Sequence, residues 1–164
     1  MAKWQPRVAP ETEAALRALG PYVVTHGGHL LWDPAPGFEW PWGTASLGFA
    51  VHPQNATDAD YRRLLGAWRQ VCGRREAVLA MIRDATRASW AWASQNVPPA
   101  VFAADPGAPD EVVLGHVRSG HFALATGGPG QVAIEVYAAV AWDEEHGVRI
   151  DLVDPDQRLS WSFD

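Results

Sequence analysis

The C-terminal part of this chain alternates apolar and polar residues on both sides of a short acidic block, and this alternation constrains the fold more than any other feature. Residues 131–142 carry apolar side chains at every second position, and residues 148–153 repeat the pattern. Because successive side chains of a strand point to opposite faces, each run predicts a strand with one buried face. The block W-D-E-E-H-G at residues 142–147 separates them, which predicts a hairpin tip over residues 143–147.

A second hairpin is predicted at the end of the chain. Residues 148–153 and 158–163 alternate in the same way, and the proline between them suits the second position of a type I turn. Leu159, Trp161 and Phe163 are expected to face the core from this last strand.

Two further strands are predicted upstream of these hairpins. Residues 112–118 and 121–125 are rich in strand-forming residues, and Ser119 and Gly120 lie between them. Serine and glycine are common turn residues, so this segment predicts another reversal. The strands from residue 112 onward would then form an antiparallel meander.

The segment 57–96 predicts one or two helices. Thr57 followed by Asp60 resembles a capping box, and Gly73 either ends a first helix or kinks a long one. The positions that recur at intervals of three and four, and that are expected to face the core, are Tyr61, Leu64, Leu65, Trp68, Val71, Cys72, Val78, Ile82, Ala85, Ser89 and Trp92.

The N-terminal part of the chain predicts a helix, a hairpin and a strand. Residues 10–19 have the signals of a short helix, and residues 22–25 and 29–32 flank a glycine pair as hairpin strands do. A loop rich in Gly, Pro and Trp follows over residues 33–43, and residues 44–52 then alternate as a strand.

The order of these elements predicts an α+β fold, in which one or two helices pack on one face of a mostly antiparallel sheet. With 164 residues and 48% hydrophobic content, the chain is expected to form a single globular domain over residues 1–164. The N-terminus lacks the apolar region of a signal peptide, and no apolar run is long enough for a membrane span, so a cytoplasmic location is predicted.

Charge is distributed unevenly along the chain. The net charge is −6, yet the segment 57–95 carries seven arginines against four acidic residues. Residues 131–164 carry eight acidic residues against two basic ones. The C-terminal hairpins therefore present an anionic surface, which would repel nucleic acid and would suit a partner protein with a basic surface.

The acidic block is the first candidate binding site. Asp143, Glu144 and Glu145 could form a recognition patch, with Trp142 as an anchor and His146 beside them. An alternative is a purely structural turn, because glycine and acidic residues are common at hairpin tips. Acid-base catalysis by His146 with the neighbouring acids is a further alternative, although neighbouring side chains diverge on a strand or turn.

The loop over residues 33–43 is the second candidate binding site. Trp40 and Trp42 flank a proline and could form an exposed stacking surface for a small ligand. The alternative is that the loop folds over the open end of the sheet and seals it, since large aromatic side chains are usually buried.

No metal or cofactor site is predicted. The histidine pairs His26 with His29 and His116 with His121 could offer imidazoles to one ion, but the chain lacks the spacing of a zinc motif. Its one cysteine, Cys72, falls in the helical apolar stripe and is expected to be a core residue. No catalytic set of residues stands out.

The pattern of a strand, W-D-E-E-H-G, a second strand, an acidic turn and a last strand resembles the C-terminal part of a group of small uncharacterised bacterial domains. Some of these domains are associated with immunity or defence. The resemblance covers about the last fifth of the chain, and it implies a bacterial immunity or defence-associated factor. The leading hypothesis is therefore a protein-binding module that uses its acidic hairpin surface. Small-ligand binding through Trp40 and Trp42, and hydrolysis through His146, are the second and third hypotheses.

Overall fold

The computed structural model describes residues 6–52, 54–127 and 130–153, and within them six strands form one sheet. The strands are β1 (Val23–Val24), β2 (Leu30–Trp32), β3 (Thr44–Ala50), β4 (Val117–Thr126), β5 (Val132–Val140) and β6 (Asp143–Val153). They lie in sequence order across the sheet, and all neighbours are antiparallel except β3 and β4. The predicted α+β fold with a C-terminal meander is confirmed.

The described part of the chain also contains the helices α1 (Pro10–Ala18), α2 (Asp58–Gly73), α3 (Arg75–Asn96) and α4 (Asp110–Leu114). The chain leaves β3, passes through α2, α3 and α4, and returns to form β4 beside it. A connection of this length is what parallel neighbours require, which explains the one parallel pair. None of these helices is long and apolar enough to cross a membrane.

The helix α2 begins and ends at residues that the sequence marks as helix boundaries. Thr57 accepts a hydrogen bond from the backbone N–H of Asp60, and the Asp60 carboxylate accepts one from the backbone N–H of Thr57. The predicted capping box is therefore confirmed. Gly73 is the last residue of α2, and α3 begins at Arg75, so the segment forms two helices.

The buried stripe of α3 differs from the prediction at its C-terminal end. Trp90, which is 3% exposed, packs in the core, whereas Trp92 is 49% exposed, so its predicted place in the core is wrong. The stripe continues from Thr86 to Trp90 and from Ser89 to Ala93. Two residues advance roughly 200° around a helix, so Trp90 and Trp92 cannot share that stripe.

The core lies between the sheet and the helices. The face of the sheet that points to α2 and α3, here called the inner face, contains Leu47, Phe49, Phe122, Leu124, Ile134, Val136, Val148, Ile150 and Leu152. Trp68 of α2 packs edge-on against Phe122 of β4, with ring centroids 5.2 Å apart. The α1 helix packs on α2, and α4 packs on α3, so the helices form a layer over this face.

The prediction of two strands separated at Ser119 and Gly120 is wrong. Residues 110–114 form a helix instead, and β4 runs through both residues without reversing. A Cβ atom at Gly120 would lie 2.6 Å from the ring of Trp40. Position 120 therefore requires glycine because the Trp40 indole packs directly against its backbone, and not because the chain turns there.

The hairpin tip also lies earlier than predicted. The chain turns at Ala141 and Trp142, and β6 begins at Asp143. The acidic residues 143–147 thus belong to the first part of β6. The predicted last strand over residues 158–163, including Leu159, Trp161 and Phe163, lies outside the described residues.

Candidate functional site

The acidic residues form a bulge at the start of β6. Asp143 pairs with Val140 of β5, and Val148 pairs with Ala138. Only one residue of β5 lies between these pairs, whereas residues 144–147 lie between them on β6. Extra residues in one strand of an antiparallel pair must leave the ladder and project from it. We call residues 143–147 the acidic bulge.

Gly147 closes the acidic bulge. Its φ of +66° falls in the left-handed region, which favours glycine. A Cβ atom there would lie 2.6 Å from the carbonyl oxygen of Ala138 and 2.6 Å from the hydroxyl oxygen of Tyr137. The position therefore requires glycine for its conformation and for its close contact with β5.

Trp142 holds the acidic bulge to the core. Its indole is 6% exposed, and its Nε1–H donates a hydrogen bond to Ser89 Oγ of α3 at 2.9 Å. Its ring meets that of Trp90 edge-on, with centroids 5.0 Å apart. The structure thus places Trp142 inside the molecule, away from the surface that the neighbouring carboxylates occupy.

Two of the three carboxylates of the acidic bulge, those of Glu144 and Glu145, are exposed to solvent. Glu144 is 68% exposed and forms an ion pair with Arg118 of β4 at 3.0 Å, and Glu145 is exposed as well. Asp143 accepts a hydrogen bond from the backbone N–H of His146 at 3.0 Å, and its carboxylate lies 3.2 Å from His146 Nδ1. Asp143 therefore shapes the bulge, while Glu144 and Glu145 present charge.

The loop that carries Trp40 and Trp42 lies against the inner face. Trp40 is 7% exposed, and its ring packs edge-on against Phe122 at a centroid distance of 5.9 Å. Its Nε1–H donates a hydrogen bond to the carbonyl oxygen of Trp42 at 3.0 Å, and the half-buried Trp42 ring lies edge-on to it. Trp40 thus fills the space over Gly120, and the pair does not offer two free rings for stacking.

The opposite side of the sheet, here called the outer face, carries a line of polar side chains. Ser46, His121, Tyr137 and Arg149 pair in register across β3, β4, β5 and β6. We call these four residues the polar row. The neighbouring row on one side contains Gly48, Ala123, Glu135 and Asp151, and the row on the other side contains Ser119 and Ala139.

His121 is fixed within the polar row. Ser46 Oγ and His121 Nδ1 are hydrogen-bonded at 2.7 Å, and a Cβ atom at Gly48 would lie 3.1 Å from the imidazole. Burial lowers the pKa of His121 below its usual value, while the nearby carboxylate of Glu135 acts in the opposite direction. Burial therefore favours the neutral form of this imidazole.

The positively charged side chain of the polar row, Arg149, is paired with carboxylates. The guanidinium of Arg149 lies 2.9 Å from the carboxylate of Glu135 on β5 and 3.2 Å from that of Asp151 on β6. Arg149, Glu135 and Asp151 are all partly exposed, so the ion pairs are accessible to water. The outer face of β5 and β6 is thus polar and partly charged.

The histidines considered as metal ligands lie in different surroundings. His116 packs against the rings of Trp90 and Phe102, each at a centroid distance of 5.3 Å. His121 points to the outer face instead, where it meets Ser46. Among the described residues, no three potential ligands come together as a metal site would require.

Sequence reasoning missed the polar row. Glu135 and Tyr137 alternate with the buried residues of β5, so the sequence pattern was sufficient to place both on the outer face. The contact between Ser46 and His121 could not, because it joins residues 75 positions apart across the parallel pair. No protein-family model, curated protein or solved structure matches this chain.

Proposed function

We propose that this protein is a protein-binding module that docks a basic surface of its partner on the acidic bulge. The main support for the proposal is the contrast in burial between Trp142 and the carboxylates that follow it. Trp142 is bonded to the core, while Glu144 and Glu145 stand exposed directly after it. A charged segment held in one conformation loses little conformational freedom on binding, which favours its use in recognition.

The charges around the acidic bulge support a basic partner. Residues 131–153 carry five carboxylates and one arginine, and Arg118 is the one further cation that contacts the bulge among the described ion pairs. An excess of negative charge on one surface attracts a basic protein and increases its association rate. The same field would disfavour a nucleic acid as the partner.

We also propose that the partner belongs to a bacterial immunity or defence system and that the interaction takes place in the cytoplasm. This part rests on the resemblance of the C-terminal pattern to immunity-associated domains and on the composition of the chain. The acidic bulge would then be the surface through which the protein recognises the component it controls.

Partner capture from the source organism provides the test. The bait proteins are the wild type and a variant in which Asp143→Asn, Glu144→Gln and Glu145→Gln are combined. A partner that the wild type retains should be identified, purified and measured alone. We expect the triple variant to bind it more weakly, and the association rate with the wild type to fall as salt rises, because salt screens charges within about 10 Å at 0.1 M.

A matched variant controls for net charge. Glu11→Gln, Asp84→Asn and Glu111→Gln remove three exposed carboxylates from the helical layer and leave the acidic bulge intact. This control should bind the partner as the wild type does. Equal loss of binding in both variants would mean that only net charge matters, and unchanged binding in both would contradict the proposal.

A further inference from the structure

Tyr137 connects the acidic bulge to the outer face of the sheet. Its hydroxyl lies over the backbone of Gly147, where a Cβ atom would come within 2.6 Å. It pairs with His121 on one side and with Arg149 on the other. The half-buried ring therefore stands at the centre of the polar row and at the border of the acidic bulge.

The surroundings of Tyr137 resemble the centre of a protein interface. Tyrosine and arginine are the residue types that, with tryptophan, contribute most to binding energy at such centres. Here Tyr137 and Arg149 are cross-strand neighbours, and the flanking positions Ala123 and Ala139 are small. Tyr137 is half-buried, so part of its side chain remains accessible to a partner between these small residues and the polar groups of the row.

The carboxylates of this region already bind guanidinium groups of the same chain. Arg149 lies between Glu135 and Asp151, and Arg118 lies against Glu144, all at 2.9 to 3.2 Å. All three contacts are ion pairs, and those of Arg118 with Glu144 and of Arg149 with Asp151 are also hydrogen bonds. Glu145, which follows Glu144 on the acidic bulge, is exposed to solvent.

We propose that Tyr137 is an arginine-recognition site within the docking surface, where a guanidinium group of the partner stacks on the ring and the acidic bulge balances its charge. The inference rests on the proposed function and specifies the chemistry of the partner. Guanidinium groups stack on aromatic faces better than ammonium groups do, because they are planar and weakly hydrated. The partner surface should therefore carry arginine, and lysine should replace it poorly.

The test uses a fluorescently labelled oligoarginine peptide and an oligolysine peptide of equal length, with binding measured by anisotropy. The wild type should bind oligoarginine more tightly than oligolysine. Tyr137→Leu should weaken oligoarginine binding about two- to fivefold, which is the effect of losing one exposed cation–π contact. Tyr137→Phe keeps the ring and should bind as the wild type does.

Trp92→Leu is the matched control, because it removes an exposed aromatic ring from the helical layer. It should leave the affinity for oligoarginine unchanged. Circular dichroism of each variant confirms that it is folded. If Trp92→Leu weakens binding as much as Tyr137→Leu does, the site is not at Tyr137 and the inference is overturned.

The triple variant of Asp143, Glu144 and Glu145 separates the two proposals. If it loses oligoarginine binding while Tyr137→Leu does not, the arginine site is overturned and the acidic bulge still stands as a docking surface. If neither variant changes the affinity, both proposals fail. Weaker binding in both, with Trp92→Leu and Tyr137→Phe unchanged, supports both.

Discussion

The two faces of the sheet share the same strands but differ in chemistry. On the inner face, Leu47, Phe122, Val136 and Ile150 pair across four strands and are almost completely buried. One residue earlier or later on each strand, the outer face carries polar, charged or small side chains. The inner face therefore forms the core, whereas the outer face carries the polar and charged groups of the sheet.

The segment 142–147 crosses from one face to the other. Trp142 continues the inward phase of Val140 and enters the core, while Glu144 and Glu145 leave the ladder on the acidic bulge. A residue that packs in the core is thus followed directly by the exposed carboxylates of the proposed docking surface. Substitutions only a few positions apart are therefore expected to change the free energy of unfolding by very different amounts.

The largest loss of stability is expected from Trp142→Ala. The indole is buried and bonded to Ser89, so its removal leaves a cavity and an unpaired hydroxyl in the core. The free energy of unfolding should fall by about 3–5 kcal/mol, measured by urea denaturation. The exposed Trp92→Ala should change it by less than about 0.5 kcal/mol. A loss below 1 kcal/mol at Trp142 would contradict its role as an anchor.

A smaller loss is expected from Gly147→Ala. Alanine at positive φ costs about 1–2 kcal/mol, and its Cβ atom would also collide with Ala138 and Tyr137. Gly37→Ala is the matched control, since Gly37 has a φ of +74° and only ordinary contact with Cys72. Gly147→Ala should exceed this control by about 1 kcal/mol or more in denaturation experiments. Equal losses would show that the contact with β5 is easily relaxed.

The outer face should add a pH dependence to stability through His121. Burial lowers the pKa of His121 in the folded protein, so the unfolded chain binds the proton more readily. The stability due to the neutral imidazole is complete above about pH 6.5 and is lost as the pH falls below it. Urea midpoints measured across this range should vary less in His121→Asn than in the wild type. Parallel curves for the two proteins would contradict the assignment.

The smallest effect on stability is expected from the triple variant of Asp143, Glu144 and Glu145. The ion pair of Glu144 with Arg118 is exposed on both sides, and asparagine at position 143 can still accept the hydrogen bond from His146. The free energy of unfolding should change by less than about 1 kcal/mol. A larger loss in thermal or urea unfolding would mean that these carboxylates hold the fold together.

Local patterns explain which parts of the fold were predictable. The capping box at Thr57 and the alternation of β5 depend on neighbours in sequence, and both were predicted. Gly120 was misread because its role depends on Trp40, which is distant along the chain. Trp92 was misread because Trp90 continues the helical stripe more closely.

The candidate site was predictable in part for the same reason. The acidic residues were found from their place between two alternating runs, but the burial of Trp142 depends on Ser89 and Trp90 of α3. Trp142 lies two residues after the inward-facing Val140, and this spacing was a signal in the sequence that favoured its burial. The contact of Ser46 with His121 requires the parallel pair of β3 and β4, which no local pattern indicates.

Amide chemical-shift mapping would locate the proposed docking surface residue by residue. The isotope-labelled wild type is titrated with the oligoarginine peptide, and shifts are followed residue by residue. We expect the perturbed amides to cluster in the acidic bulge and around Tyr137 and Arg149, with the amides of α1 to α4 unchanged. Perturbations centred on the helical layer, or spread evenly over the surface, would contradict it.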